Sequence, residues 1–454
     1  MTTTHPQVTQ VPLSVSEERM LQRLEQWGPN AWGRNLYLAY RLAGPLDEKA
    51  LRDALDELTR GQQGLRSVIT GARGDWGKEL RDAADVTFDL EVEDTPGASI
   101  DAISARVIEQ VRTPLSPETG RVARGRLYRV GPEDRVLVLV FHHVVFDASC
   151  YAVVVKELNA LYAAACDNTL SSYAHPVLTP TDFAKWQRNL LDSPRFEELT
   201  AYWKRFWPTV VPLKDSVPVD APRGSGVRRR ALLPFSVSDE LMKSVRAATS
   251  AQRVTLPTFC CAAAAALMSR LSGRDDVTIG YVHSLRSEFS MRNRHLKETL
   301  ERVLGTFVAP LPVRIALTAE TTGNEVVAAV HGSLRDGFMH FDLPALDFLG
   351  EPGKMLAHQA IFPVMFNYHR TRAQLDLRGV KAERLARDLI EKPSQWAPQN
   401  ELEWRVVESG GPVQGILVYD EALWTEASAK RMAGAYVEVL EDLANRGSAP
   451  LRSR

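Results

Sequence analysis

The segment Val136-Leu137-Val138-Leu139-Val140-Phe141 constrains this chain most, because no polar residue interrupts it. A strand with one wet face alternates apolar and polar residues. An unbroken valine-rich run of this length is what a strand buried on both faces requires. The run ends in His142 and His143, so a pair of imidazoles stands at the mouth of a buried strand.

The rest of the chain supplies the cover. Residues Met1 to about Val11 read as a polar, poorly ordered lead-in. A helix is expected over Ser14–Glu25, ended by the breaker Trp27-Gly28-Pro29-Asn30, and then a strand over Leu36–Leu42. Asp47–Leu58 is an amphipathic helix in which Leu51, Leu55 and Leu58 recur at helical spacing, with Gly61 after its last turn. Strands over Arg126–Val130 and Val136–Phe141 flank the turn Gly131-Pro132-Glu133-Asp134, and Ser149–Ala165 returns to helical periodicity. Ser171–Thr181, rich in Ser, Pro and Thr, is expected to join two halves, residues 1–180 and residues 181–454. A second flexible stretch is expected over Val217–Gly226. Beyond it come a small-residue helix over Pro257–Leu271, with Gly273 past its end, and strands over Val277–Val282, Phe307–Ile315, Phe362–Tyr368 and Gly415–Tyr419. An amphipathic helix over Glu426–Ala444 closes the chain. No repeat at a solenoid period is visible. Both halves mix strands and helices without strict alternation, so the fold class is α/β or α+β in two lobes.

Composition narrows the function. The 454 residues are 44% hydrophobic and 24% charged, with a formal net charge of −1. That balance argues against a dedicated nucleic-acid or anionic-membrane binder, and no apolar run approaches the length of a membrane span. Met1-Thr2-Thr3-Thr4-His5 lacks the basic-then-apolar pattern of a signal peptide. Cys150, Cys166, Cys260 and Cys261 form no CxxC pair or zinc-like Cys/His spacing, so they read as reduced thiols of a cytoplasmic protein without a metal site. Three other features take the plain reading. Arg228-Arg229-Arg230 is a solvated charge run, Gly71, Gly74 and Gly77 lie in a loop without phosphate-binding spacing, and Cys150 points to packing by its helical register.

The chemistry-bearing candidates are therefore His142 and His143, with Asp147 four residues beyond and Ser149 placed to cap the next helix. Histidine's near-neutral reference pKa suits proton transfer. A carboxylate held by a cation would fix the local loop and hence the ring. On these residues alone, a structural histidine pair at a strand end stands beside the catalytic reading.

The stretch His142-His143-Val144-Val145-Phe146-Asp147-Ala148 resembles the HHxxxDG signature of the superfamily of chloramphenicol acetyltransferase, wax ester synthases and nonribosomal peptide synthetase condensation domains. Further segments resemble the condensation family in its order and nearly throughout the chain. They are Leu13-Ser14-Val15-Ser16-Glu17-Glu18-Arg19, Gln63-Gly64-Leu65-Arg66-Ser67, Phe183-Ala184-Lys185-Trp186-Gln187 with Tyr202-Trp203, and Gly280-Tyr281-Val282-His283-Ser284-Leu285-Arg286. Leu304-Gly305-Thr306-Phe307-Val308 with Leu311-Pro312-Val313-Arg314, and Val364-Met365-Phe366-Asn367-Tyr368, complete the series.

The resemblance implies two chloramphenicol-acetyltransferase-like lobes forming a V-shaped pseudodimer, with the histidine motif in a tunnel between them. It implies His143 as the catalytic histidine, His142 as its supporting neighbour, and Asp147 paired with Arg286 to hold the loop. Arg66, Trp186 and Trp203 take architectural places, and Ala148, Asn367 and His283 lie at the tunnel. Main-chain donors after Asp147 are expected near developing negative charge. No cofactor is expected on the enzyme itself. The donor acyl group would arrive on the phosphopantetheine arm of an acyl or peptidyl carrier protein in trans, because no carrier, adenylation or thioesterase motif is found. The acceptor would be a small molecule or a carrier-bound amine or hydroxyl, and the product an amide or ester of natural-product biosynthesis. Alternatives are a CoA-dependent acyltransferase of the same superfamily and a catalytically silent carrier-docking domain. Ala148 for the motif's glycine, Leu285 before Arg286, Ala309-Pro310 for the usual Asn-Thr and Glu17 for a glutamine depart from the pattern. They suggest a specialised branch.

Overall fold

In a computed structural model of the chain, the apolar run lies inside the strand Asp134–His142, which is buried from Val136 onward. The structure describes residues 8–27, 35–72, 75–210, 213, 215–294, 296, 299–349, 362–370, 373–385, 398, 400–409 and 411–451. Gly28-Pro29-Asn30 and Gly74, named above as breaker and loop residues, lie outside them.

Asp134–His142 is the central strand of a five-stranded sheet ordered Lys381–Arg384, Asn35–Ala43, Asp134–His142, Ala123–Gly131, Leu90–Asp94. Its side chains alternate between two covered faces. Leu137, Leu139 and Phe141 pack with Leu51, Leu55 and Leu58 of helix Glu48–Gly61 and with Val154, Leu158 and Leu161 of helix Cys150–Cys166. Val136, Val138 and Val140 pack on Ile103, Val107 and Val111 of helix Ile100–Arg112. Each such side chain, fully buried, is worth roughly 1.5–3 kcal/mol of transfer free energy.

The chain forms two units. The first comprises Met1–Leu191 with Phe289–Phe307 and Ala373–Lys392, and the second comprises Asp192–Glu288, Val308–Arg372 and Pro393–Arg454. The second unit holds a six-stranded sheet ordered Arg230–Ser236, Gln414–Asp420, Leu402–Glu408, Val364–Arg370, Asp276–Ser284, Val308–Ala316. Its first four strands pair antiparallel, antiparallel and parallel. So do Asn35–Ala43, Asp134–His142, Ala123–Gly131 and Leu90–Asp94. The helices match as well. Glu48–Gly61 and Cys150–Cys166 follow the first two strands of one series and pack together, as Asp239–Gln252 does against Glu426–Asn445 in the other. The same αβ unit is built twice.

Several local expectations are corrected. Val8–Val11 is a strand in a three-stranded sheet with Asp75–Arg81 and Ser67–Ala72, so part of the supposed lead-in is paired. Gly71 and Gly77, read as loop residues, lie in those two strands, and Gly71 adopts φ +80°, which a side chain would strain. Val217–Gly226 lacks regular structure but is tied down. Asp220 accepts from Thr425 N–H and Ser428 Oγ (2.7 and 2.8 Å), which hold its carboxyl down at about 2. Arg228-Arg229-Arg230 is no solvated face, since Arg230 is buried and Arg228 Nε donates to buried Asp420 at 2.6 Å.

Helix Val15–Trp27 opens with a reciprocal cap. Glu17 N–H donates to Ser14 Oγ (3.0 Å) and Ser14 N–H donates to Glu17 Oε2 (2.7 Å). The same carboxylate receives Lys78 Nζ at 2.7 and 2.9 Å, and the Lys78 side chain is 1% exposed. The glutamate that replaces a glutamine is thus the counter-ion of a buried lysine. Glu17→Gln keeps the cap and strands the ammonium, so it should cost about 3–5 kcal/mol in chemical denaturation, and adding Lys78→Met should restore most of that loss.

Candidate active site

His142 is the last residue of the central strand and pairs with Asn35, whose Nδ2 donates to the carbonyls of Val111 and Thr113 (3.0 and 2.8 Å). The strand end is therefore fixed to the end of helix Ile100–Arg112. The His142 ring is buried, and its Nδ1 accepts from Val144 N–H at 3.2 Å, which puts the proton of the neutral ring on Nε2. A short 3₁₀ turn, His143–Val145, follows. Val144 and Val145 sink into a cluster with Leu13, Leu21, Ile69 and Val122, and His143 stays half-buried.

Desolvation holds the His143 imidazole below its ordinary value. The charge of Arg23 acts in the same direction, while Asp147 and the carbonyls of His143 and Phe146 oppose it. A ring so placed is neutral at pH 7 and keeps a lone pair. Thr306 Oγ1 lies 3.5 Å from Nδ1, at the limit of a hydrogen bond.

Asp147 is fully buried and fastens the turn to a distant segment. Its Oδ1 accepts from Ser149 N–H at 2.9 Å and its Oδ2 from Phe307 N–H at 3.0 Å. Cys150 Sγ, also buried, lies 3.3 Å from Gly305 O and 3.4 Å from Asp147 Oδ1 as donor. Segment 300–307 is held further by Gln62, which donates to Arg302 O and accepts from Leu304 N–H (2.8 and 2.9 Å), and by Arg302, which donates to Glu157 (3.0 Å). Gly64 allows this approach, since a Cβ there would sit 2.9 Å from Leu304 O. The Phe307 ring packs edge-on against Phe183, 4.9 Å between centroids.

One expectation at this loop is revised and another is narrowed. Ser149 starts the helix without a side-chain cap, with helical dihedrals rather than the extended ones of a capping residue, and its N–H donates to Asp147. The N–H of Cys150 donates to Asp147 O at 3.0 Å, so neither amide is left over for a developing oxyanion. Ala148 is half-buried and is not among the non-glycine residues with positive φ, which are Asn168, Asp215 and Arg253 among the described residues. Alanine therefore stands at the glycine position without backbone strain.

The other candidates fall as follows. Arg66, in the first unit, donates to Arg81 O at 2.6 Å, and burial lowers its pKa. Arg286, in the second unit, is buried and begins helix Arg286–Arg292. Trp203 is buried and donates to His340 O at 2.9 Å. Asn367 Nδ2 donates to Glu403 Oε1 at 3.1 Å. Burial alone would raise the Glu403 carboxyl, but Arg405 beside it holds it at about 2. His283 Nε2 is 2.9 Å from Glu288 Oε1. Arg23 and Gln62 were not singled out from the sequence, and Thr306 and Phe307 were named only within a family-like segment, without these contacts. They act on the motif from elsewhere in the chain, and no local spacing announces them.

The repeated topology sets the two strand ends side by side for comparison. By register, Asp420 against Arg230 occupies the place of His142 against Asn35. In that copy the strand end is a buried carboxylate latched by Arg228 Nε and by the N–H groups of Arg229 and Ala422 (2.6, 3.0 and 3.1 Å). Among the described residues, no three His, Cys, Asp or Glu side chains gather as a metal-ligating group, and no single helix is long and apolar enough to cross a membrane.

The family model described as Condensation domain matches residues 7–454. The chain belongs to the condensation domain family. Phosphinothricin tripeptide synthetase PhsC of Streptomyces viridochromogenes is 29% identical over 387 residues, covering 83% of this chain and 34% of that protein. Malpinin synthetase of Mortierella alpina is 26% identical over 436 residues, covering 95% of this chain and 5% of that protein. This condensation domain chain therefore spans only a minor part of the length of those relatives. The crystal structure of SgcC5 protein from Streptomyces globisporus shares its fold, with TM-score 0.77 and 24% identity over 97% of this chain and 100% of that one. The mixed α/β class and the two acetyltransferase-like lobes expected from the motif agree with the observed architecture.

In this condensation domain His143 and Asp147 differ in what their loss should do. Asp147→Asn turns an amide N–H₂ toward one of two main-chain N–H donors, so it should destabilise the protein by about 1–3 kcal/mol. His143→Ala, at a half-buried position, should stay within about 1 kcal/mol of wild type. Urea unfolding of the two variants checks the contrast.

Proposed function

We propose that this chain catalyses acyl transfer from a carrier-tethered thioester to an amine or hydroxyl acceptor, meeting its carrier in trans and using His143 as the base. The observation that carries the reading is a neutral, half-buried imidazole on a turn that Asp147 locks to Phe307, in a family whose curated relatives above are synthetases, one of them of a tripeptide. The donor arm is expected to be phosphopantetheine, and the setting a cytoplasmic natural-product pathway.

In the neutral His143 ring one nitrogen carries the proton, and the other holds the lone pair. As the nucleophile attacks the thioester carbonyl, its N–H or O–H proton passes to that lone pair and the new C–N or C–O bond forms. The tetrahedral intermediate collapses with C–S cleavage, and the imidazolium returns the proton to the leaving thiolate. A neutral amine is already nucleophilic, whereas an alcohol needs its proton drawn away, so ester formation leans harder on His143. His142, with its Nδ1 spent on Val144, sets the turn. Asp147 holds the loop and takes no proton.

The test is incubation of the protein with acyl-loaded carrier proteins, acyl-pantetheine surrogates and acyl-CoA, against amine and alcohol acceptors, with products read by mass spectrometry. Acceptor-dependent condensation is expected, falling about 10²–10⁴-fold in His143→Ala. Transfer from CoA alone would replace the carrier reading with a CoA-dependent acyltransferase. Carrier binding without transfer from any donor would replace it with a silent docking domain.

A further inference from the structure

Strand Asp276–Ser284 carries a second oriented imidazole that the mechanism above does not use. His283 Nε2–H donates to Glu288 Oε1 at 2.9 Å, and Glu288 is 1% exposed. The other oxygen of that carboxylate accepts from Ser287 Oγ at 3.0 Å, and Ser287 Oγ also reaches Ser284 O at 3.0 Å. The ring is stacked on Phe338, 4.1 Å between centroids and 28° between planes, with Phe341 and Tyr281 at 5.7 and 6.2 Å. Position, tilt and tautomer are therefore fixed by separate contacts. The remaining nitrogen, Nδ1, has no hydrogen-bond partner among the described residues and is not sealed from solvent, while 17% of the side chain stays exposed.

Buried polar atoms are paired in a packed interior, as Nε2 is here with Glu288, whereas an outward nitrogen pairs with whatever reaches it. Here a buried carboxylate, a serine and an aromatic face hold the ring, and its lone pair is left outward. In the neutral ring, with Nε2–H given to Glu288, Nδ1 is an acceptor. The negative charge behind it favours a donor and disfavours an anion. We infer that His283, backed by Glu288, is a specificity-determining contact that accepts a hydrogen bond from a hydroxyl or ammonium group of a substrate. The inference rests on the acyl-transfer reading and adds the chemical class that one part of the substrate carries. A site that hydrogen-bonds a substrate donor discriminates against the analogue lacking it, because its own acceptor is then left unpaired.

The experiment uses acyl-pantetheine donors and amine acceptors in matched pairs that differ by one hydroxyl or one ammonium group. Wild type is expected to prefer the donor-bearing member of at least one pair by about 10–100-fold in kcat/KM. His283→Phe keeps the stacking and removes the acceptor. It is expected to erase that preference, lowering kcat/KM for the donor-bearing member far more than for its partner. Glu288→Gln is expected to weaken the preference without abolishing turnover. The hydroxyl and ammonium arms identify which group is read. Equal slowing of both members of every pair in His283→Phe, or a preference that survives it, overturns the inference. A separate readout is the His283 ring resonance in folded wild type, assigned by its loss in His283→Phe. A shift with the donor-bearing compounds alone, in a protein that transfers nothing, would remove the acyl-transfer reading and leave the site standing. No shift with any compound would overturn the site, whether or not transfer occurs.

Discussion

Burial of Asp134–His142 on both faces sets the terms for everything around it. A central strand with Val136, Val138 and Val140 on one side and Leu137, Leu139 and Phe141 on the other needs a helical layer on each side. It tolerates polar side chains only where the sheet ends. His142 and His143 occupy that end. The His143 imidazole gains a rigid mount and a desolvated setting at that end, and desolvation lowers its pKa.

A strand end alone does not make a site, as the second unit shows. Its strand series and helices repeat those of the first, yet Gln414–Asp420 ends in a carboxylate latched by Arg228 and two main-chain N–H groups. One copy of the repeat has its end closed by an ion pair, and the other has its end opened to a histidine. What opens it is the hub at Asp147, which spends its two oxygens on Ser149 and Phe307 and so shapes the turn that carries His143. Segment 300–307 matters for the same reason. It lies about 160 residues from the motif in sequence and supplies the amide that completes the hub.

Features written in local periodicity were legible in the sequence. Helix Glu48–Gly61, with Asp47 accepting from Ala50 N–H, and helix Leu256–Ser272, ended by Gly273 at φ +70°, fall within a few residues of expectation. Asp134–His142 and Gln414–Asp420 do so as well. Features that depend on partners far along the chain were not legible. The return of Phe289–Phe307 and Ala373–Lys392 to the first unit rests on contacts such as Gln62 with Leu304 and Asn159 with Asp376. The buried state of Arg230 rests on strand pairing, and that of Lys78 on Glu17. Among candidate site residues, the motif itself was visible, but the use of Asn367 by Glu403 and of His283 by Glu288 appeared only with the side chains in place.

The central claim is that a desolvated, neutral His143 receives the nucleophile's proton. It is tested most directly by following the His143 ring through a pH titration in the folded protein beside the single-turnover rate of acyl transfer. Because folding depresses its pKa, the unfolded chain binds this proton more readily, and the fold loses stability as pH falls below the ordinary value of about 6.5. The account predicts a ring midpoint below that ordinary value. It also predicts a transfer rate that falls on the acid side with the same midpoint, and no such limb in His143→Ala. A ring that titrates above its ordinary value, or a rate indifferent to the ring's protonation, would contradict it.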